Sequence, residues 1–434
     1  MTADPLQAIP QSATQRVVDV ALTKKVPSQW KEARDRVASE RAAVERWLVA
    51  GGRAYGFTTL LGHLDDRHME WADTETTQIL QSEMMKAHLI GRAMRVPIGT
   101  VRSGLILAAK IEQLHCGGSG VSPSSLDRYT RAVKRGRTLE LPLALSYSCA
   151  DVVPNAWVIH ELFAGDDDLL APGDLIALLG GHALPAAEAI PVTCALAYLT
   201  MHFNLRWSAV AATMRREAKV QLPVSLRDAT PVRIESAAVV DAMLAASGHR
   251  LRTQAANPLF LFDEGGRVRD VSSTSRFLDF SLTAATERAS TFLITLSHLT
   301  QRLVEHVVEM CDRWDYAGQH RRIQYPKVSR ALSLRTRAAH QHTRGFLSDT
   351  SCGVEDLWDL SLISLHRLSL LQEALVQELL LLDELLAATP LVSALTPAGN
   401  ALSDAAQMLS QSDLRLAPHD LERLILEVHP SWNF

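Results

Sequence analysis

Four side chains in this sequence have the types needed for proton transfer and carboxylate binding. Tyr55 precedes Gly56 in a stretch that breaks helical periodicity, which predicts a hydroxyl on a loop. A tyrosine, whose ordinary pKa is about 10, needs a cationic or hydrogen-bonding neighbour to act as a base near pH 7. Arg227 could supply that charge and bind a carboxylate through two parallel hydrogen bonds. His88 lies in a helical segment and Glu355 in the first turn of another, and each of the four, taken singly, is also typical of a structural role.

Long helices must position these side chains, because the composition is that of a mainly helical protein. Hydrophobic residues make up 47% of the 434 residues, enough for a large core. The 22 glycines and 18 prolines are fewer than average, which disfavours turn-rich all-β folds. Helical periodicity extends over residues 31–50, 74–95, 99–115, 234–254, 277–311 and 354–388, whereas 141–182 is typical of loop and short helix. The last of these helices is apolar on more than one face, so we expect it to be buried among others.

Charge and cysteine usage exclude several classes of protein. The 44 Lys and Arg against 48 Asp and Glu disfavour a nucleic-acid partner, which would select for a positive surplus. Five scattered cysteines form neither a disulfide framework nor a zinc ribbon, and the histidines lack the spacing of a helical metal site, so no metal is expected. The first residues show no secretion signal, and charged residues interrupt the apolar stretches of membrane length. We therefore expect a cytoplasmic protein without a membrane partner.

Five segments, in chain order, resemble motifs of the histidine/phenylalanine ammonia-lyase family. They are AYGFTTLLG at 54–62, LQSEMMKAHLIG at 80–91, PVSLR at 223–227, NPLFLFDEGGRV at 257–268 and TSCGVED at 350–356. The resemblance implies a mainly α, ammonia-lyase-like fold with a central bundle of long antiparallel helices. It also implies a homotetramer whose active sites combine residues of several subunits. We expect residues 1–222 to carry the Tyr55 loop and residues 223–434 the long-helix bundle, as one intertwined unit.

The resemblance assigns a role to each of the four side chains. Tyr55 matches the family's catalytic tyrosine, and Glu355 its active-site glutamate. His88 matches the active-site histidine, and Arg227 the arginine that holds the substrate carboxylate. The resemblance therefore implies a small, amino-acid-like substrate.

The segment that builds the family's electrophile is altered. Family members form methylideneimidazolone (MIO) from an internal Ala-Ser-Gly, by attack of the third residue's amide nitrogen on the first residue's carbonyl. Alignment through Asp151 and Pro154 puts Ser148, Cys149 and Ala150 at this position. Cys149 could supply a methylidene group by losing hydrogen sulfide, but alanine in place of glycine penalises the tight backbone turn.

Other positions that accompany the electrophile in the family are also changed. Val224 replaces the tyrosine of P-Y-S-L-R, and Gly180 replaces the asparagine of L-x-N-G-T. Residues 270–275 replace the family's S-G-G-N-F-H loop. These changes predict that MIO is absent and that the protein carries no cofactor.

Three functions remain compatible with the sequence. The first is an MIO-independent, lyase-like enzyme of specialised metabolism that performs elimination, addition, cyclisation or isomerisation on an amino-acid-derived carboxylate. Tyr55 would be its base and Arg227 its anchor. The second is a non-catalytic homologue that acts as a binding or assembly partner. The third is a true ammonia-lyase or aminomutase whose electrophile derives from residues 148–150.

Overall fold

The chain is mainly α-helical in a computed structural model that describes residues 12–71, 74–146, 149–163, 170–217, 222–315, 318–339 and 357–387. The helices are α1 (Ala13–Thr23), α2 (Gln29–Val49), α3 (Thr74–His88), α4 (Thr100–Leu114), α5 (Pro123–Lys134), α6 (Val152–Phe163), α7 (Asp174–Leu179), α8 (Ala183–Glu217), α9 (Val224–Arg227), α10 (Thr230–Arg250), α11 (Phe280–Trp314), α12 (Gln319–Arg322), α13 (Tyr325–Ala339) and α14 (Ser361–Ala387). Two antiparallel strand pairs accompany them: β1 (Val96–Pro97) with β2 (Glu140–Leu141), and β3 (Leu259–Phe262) with β4 (Val268–Ser272). The predicted fold class is confirmed.

Two compact units alternate along the sequence. Unit 1 consists of Met1–Ile190, Ala245–Thr283 and Arg344–Ile363. Unit 2 consists of Pro191–Leu244, Ala284–Thr343 and Ser364–Phe434. The expected division of the chain at residue 222 stays a prediction.

The core of unit 1 includes helix α4, of which 13 of 15 residues are buried. Gly104 lets α1 approach closely, because a Cβ there would lie 3.1 Å from the Ala21 Cα. Glu188, which interrupts an apolar stretch of the sequence, is buried and bonded by Arg102, whose Nε lies 2.9 Å from the Glu188 Oε1. Because the Arg102 guanidinium pairs with the Glu188 carboxylate, this part of α8 can lie in the core of unit 1.

In unit 2, helix α14 confirms the burial predicted for the Leu-rich tail. Its leucines at 368, 371, 375, 379 and 382 are fully buried and recur every three or four residues. Asp383 accepts a hydrogen bond from the Arg206 Nε of α8 at 2.6 Å, and Gln372 donates to the Val192 carbonyl at 2.8 Å. Polar contacts of this kind fix the position of an otherwise apolar helix against α8.

Two helix ends differ more from the predictions than the others do. The helix expected over 74–95 ends at His88, because Gly91 adopts a left-handed conformation (φ +72°) and turns the chain. The last helix begins at Ser361 rather than near 354, where the Asp359 carboxylate accepts the Ser361 amide at 2.9 Å and caps the helix.

Among the described residues, one helical stretch is long and apolar enough to cross a membrane. It runs from Asp174 to Arg215, and 89% of its most apolar window is buried in the protein. Such burial is usual for a core helix.

Candidate active site

The Tyr55 loop is a tight, internally bonded turn in unit 1. The Ala54 amide donates to the Thr58 Oγ1 at 3.0 Å, which closes the turn. Gly56 has φ +70°, and a Cβ there would lie 2.7 Å from the Ile176 Cβ, so the loop backbone needs a glycine to pack against α7. The half-buried Tyr55 ring packs on a core cluster formed by Val44, Leu48, Ala54, Phe57, Ile176 and Phe260.

The Tyr55 hydroxyl is held by the backbone of its own loop. Its oxygen accepts a hydrogen bond from the Gly62 amide at 2.6 Å. A backbone N–H aimed at a phenolic oxygen stabilises negative charge there. A tyrosine that acts as a base near pH 7 needs a cationic or hydrogen-bonding neighbour, and the Gly62 amide is such a neighbour.

His88 is the last residue of α3, and its ring is fixed to the helix. The His88 Nδ1 bonds to the Met84 carbonyl at 2.7 Å. The turn after it is held by Trp157 of α6, whose Nε1 donates to the Ile90 carbonyl at 2.8 Å. The Arg95 guanidinium lies 4.4 Å over the Trp157 ring. Trp157 therefore positions the segment that follows His88.

The turn at residues 149–151, at the position of the family's electrophile, has an unusual backbone. Ala150 and Asp151 both adopt the left-handed conformation, with φ of +57° and +51°. This conformation costs a non-glycine residue about 1–2 kcal/mol, and strained backbone of this kind clusters at functional sites. Cys149 is buried, the Asn155 Nδ2 donates to the Ala150 carbonyl at 3.0 Å, and Ser148 lies outside the described residues.

Asp151 is a titratable residue at this turn. From the sequence it had served only to align the chain with the family motif. Its carboxylate is 3% exposed and accepts a hydrogen bond from the Ser146 hydroxyl. Burial, together with the neighbouring carboxylate of Asp359, raises the pKa of Asp151 to about 7. A carboxyl group that exchanges its proton near neutral pH suits general acid–base chemistry.

Lys110 of α4 is a second titratable group that sequence reasoning missed. It is 4% exposed, and its Nζ donates to the Gly180 carbonyl. Burial lowers the pKa of Lys110 to about 7. The sequence signal for Lys110 was its place within the apolar run LILAAKI, because a lysine is almost never fully buried unless it is paired.

The chain from 170 to 182 connects these elements within unit 1. The Gln81 side chain of α3 donates to the Ala171 carbonyl at 3.2 Å and accepts the Leu175 amide at 3.1 Å. Ile176 supports the Tyr55 loop, as described above, and the Leu179 carbonyl accepts the Asn155 Nδ2 at 2.8 Å. Tyr55, α3 and the turn at 149–151 are therefore tied to one stretch of chain.

The remaining predicted site residues are placed differently. Arg227 belongs to unit 2 and is exposed, and its Nε donates to the Leu222 carbonyl of its own loop at 2.8 Å. Its neighbour Val224 is 76% exposed. Glu355 lies outside the described residues, so its role and that of Arg227 stay predictions.

Two further expectations concern a loop and a metal. Of the segment 270–275, the first three residues belong to β4, and Thr274 donates its amide to the Asn257 Oδ1 at 3.1 Å. Within the described ranges, no group of three or more His, Cys, Asp or Glu side chains could hold a metal ion.

Comparison with known proteins finds a similarity to one family over the first half of the chain. The profile of the aromatic amino acid lyase family matches residues 13–202, which contain Tyr55, His88 and Cys149. A histidine ammonia-lyase of Anaeromyxobacter sp. (strain K) is 31% identical over 165 residues, which are 37% of this chain and 32% of that protein. The chain thus matches about a third of the length of this relative.

Two solved structures share the fold over nearly their full length. Tyrosine aminomutase of Streptomyces globisporus has a TM-score of 0.71 at 16% identity, covering 95% of this chain and 97% of its own. The ergothioneine-degrading enzyme ergothionase of Treponema denticola has a TM-score of 0.69 at 14% identity, covering 97% and 98%. With the family profile and the ordered motifs, they lead to one conclusion: residues 13–202 are similar to the aromatic amino acid lyase family, and the chain shares the fold of these two enzymes.

Proposed function

We propose that this protein is an MIO-independent, lyase-like enzyme that acts on a small amino-acid-derived carboxylate. The observation that carries the proposal is the turn at residues 149–151. It has the left-handed backbone that suits glycine, but Ala150 puts a Cβ there. These residues do not fit the cyclisation that forms MIO, and no step is assigned to that group.

The residues that remain support chemistry on a substrate that is already activated. Loss of ammonium from a weakly acidic C–H needs an electrophile, whereas elimination of a better leaving group, addition, cyclisation or isomerisation needs a base and a carboxylate anchor. In this proposal Tyr55, stabilised by the Gly62 amide, is the base and Arg227 the anchor. His88 contributes to substrate binding and Glu355 to catalysis. The working form would be a cytoplasmic homotetramer.

The direct test of MIO independence is the intact mass of the purified protein, with a peptide map across residues 140–160. We expect the mass calculated from the unmodified sequence. A loss of one water and one hydrogen sulfide, located at Ser148–Ala150, would contradict the proposal and restore the ammonia-lyase or aminomutase interpretation. The variant S148A/C149S/A150G, which restores Ala-Ser-Gly, is the positive control, for which cyclisation would remove two waters.

A non-catalytic binding or assembly partner is the second candidate function. It is favoured by the exposure of Arg227 and by the hydrogen bond of its guanidinium to its own loop. The variant Tyr55→Phe separates the two candidates. In a panel of amino-acid-derived carboxylates followed by mass spectrometry, we expect it to lose roughly 100-fold or more of the wild-type turnover, the usual effect of removing a general base.

The control for this experiment is Tyr325→Phe, which removes an exposed tyrosine hydroxyl that donates to Glu384 in unit 2. It should retain full turnover. Equal turnover by Tyr55→Phe and wild type would remove Tyr55 from the mechanism. No turnover of any panel member by the wild type would favour the non-catalytic partner.

A further inference from the structure

Lys110 has only neutral oxygens as hydrogen-bond acceptors in the described structure. Its neighbours along α4, Ala109 and Ile111, are fully buried. Its Nζ donates to the Gly180 carbonyl and lies 3.5 Å from the Gln113 Oε1. A buried lysine with no carboxylate partner is costly, because the charge is desolvated without compensation. A stability role alone would be served better by an apolar residue of the same size.

The carbonyl that Lys110 binds is coupled to the turn at residues 149–151. The adjacent Leu179 carbonyl accepts the Asn155 Nδ2, and the same Nδ2 donates to the Ala150 carbonyl. Lys110 and Asn155 therefore hold consecutive carbonyls of one backbone segment. The next residue, Gly181, packs closely against Gln113 of α4, because a Cβ on it would lie 2.2 Å from the Gln113 Oε1.

The other polar groups around Lys110 belong to the same buried cluster. His182 is fully buried, and its Nε2 bonds to the Arg250 carbonyl at 2.8 Å. Arg250 in turn lies 2.8 Å from the buried carboxylate of Asp279. Two buried nitrogens beside Lys110, the Gln113 Nε2 and the His182 Nδ1, have no hydrogen-bond partner in the described part of the chain.

We propose that Lys110 is a positioning residue for the candidate active site: by donating to the Gly180 carbonyl, in concert with Asn155, it holds the turn at residues 149–151 in its left-handed conformation. The proposal rests on the proposed function only in treating this turn as part of the site. Burial lowers the pKa of Lys110 from an ordinary 10.5 to about 7, so the closed turn favours the neutral amine, which still donates a hydrogen bond. An opening that returns the amine to solvent therefore becomes more costly as the pH rises above 7.

Hydrogen exchange followed by mass spectrometry tests this inference without any substrate. Protection factors, corrected for the intrinsic pH dependence of exchange, are measured for peptides covering 149–155 and 176–184 between pH 6 and pH 9. In the wild type we expect protection to rise roughly tenfold or more from pH 7 to pH 9, because an open turn that solvates Lys110 binds more protons than the closed one. The variant K110R, with a fixed charge, should show no such rise. The variant K110M, which cannot donate to the Gly180 carbonyl, should have a flat profile and less protection than the wild type at pH 9.

Asp151 titrates in the same pH range, so the K110R variant decides the assignment. The pKa of His182, which burial lowers to about 4, lies below the range. The control K86M removes an exposed lysine of α3 and should behave as the wild type. A flat wild-type profile above pH 7, or a rise that persists in K110R, would overturn the proposal. K110R and the wild type suffice for this decision if K110M does not fold, and neither result depends on whether the protein is an enzyme.

Discussion

Replacement of Asp174 by alanine is expected to lower the free energy of unfolding by about 3–5 kcal/mol, the usual cost of breaking a buried ion pair. Asp174, at the start of α7, is fully buried. Its carboxylate accepts the Ser122 amide at 2.9 Å and the hydroxyls of Ser122 and Ser125. The Arg41 guanidinium of α2 lies 3.3 Å away.

The loss arises from the groups that Asp174 leaves behind. Burial raises the pKa of Asp174, so the carboxylate itself is held in the core at a cost. Truncation leaves the Arg41 charge, whose side chain is 5% exposed, with Glu45 as its one carboxylate partner in the described structure. The Ser122 amide also loses its acceptor, and an orphaned buried donor costs about 1–3 kcal/mol.

Urea unfolding of wild type and Asp174→Ala measures this effect. The control is Asp127→Ala, which breaks a more exposed pair with Arg34 and should cost about 1 kcal/mol or less. The variant Asp174→Asn keeps the shape and should lose less than the alanine variant. A loss of under 1 kcal/mol for Asp174→Ala would show that the network around Arg41 rearranges freely. We also expect faster exchange in the Tyr55 loop, because Ile176 of the same helix supports Gly56.

Much of the fold could be predicted because helices leave a periodic pattern in the sequence. The helices over 31–50 and 99–115 were predicted to within two residues at each end, since Gly51 and the glycines after Cys116 stop them. The turn at Gly91 was missed because the sequence does not show what packs against it: a Cβ there would lie 1.9 Å from the Leu145 Cδ1. Glu188 could be read only as an interruption of an apolar run until the structure showed Arg102 beside it.

The candidate site was predicted less completely, because its chemistry depends on burial. Tyr55 was found through a motif, and the structure adds the Gly62 amide that acts on its oxygen. Lys110 and Asp151 have ordinary residue types, and only their burial moves their pKa values to about 7. The left-handed conformation at Ala150 could not be foreseen, since no glycine marks it.

Asp151 makes the stability of the protein depend on pH, and this dependence measures what it costs to bury the carboxylate at the candidate site. The carboxyl pKa is about 7 in the folded chain against an ordinary value of 3.8. The folded state therefore binds more protons than the unfolded state between about pH 4 and pH 7. The stabilising contribution of the protonated carboxyl is complete below pH 4 and is lost as the pH rises through 7. A shift of about three units corresponds to about 4 kcal/mol.

The variant Asp151→Asn mimics the protonated carboxyl at every pH, and asparagine tolerates the left-handed conformation. We expect equal stability of variant and wild type at pH 4, and a gain of about 4 kcal/mol for the variant at pH 8–9, from urea unfolding at both ends of the range. The comparison cancels the histidines that also titrate, because both proteins contain them. Asp241→Asn, at an exposed position of α10, should show no such divergence. A constant difference between Asp151→Asn and wild type would mean that the carboxylate is not held at a cost. A divergence that grows between about pH 4 and pH 7 and levels off above pH 7 would mean that the chain gives up stability to keep an ionisable group at this turn.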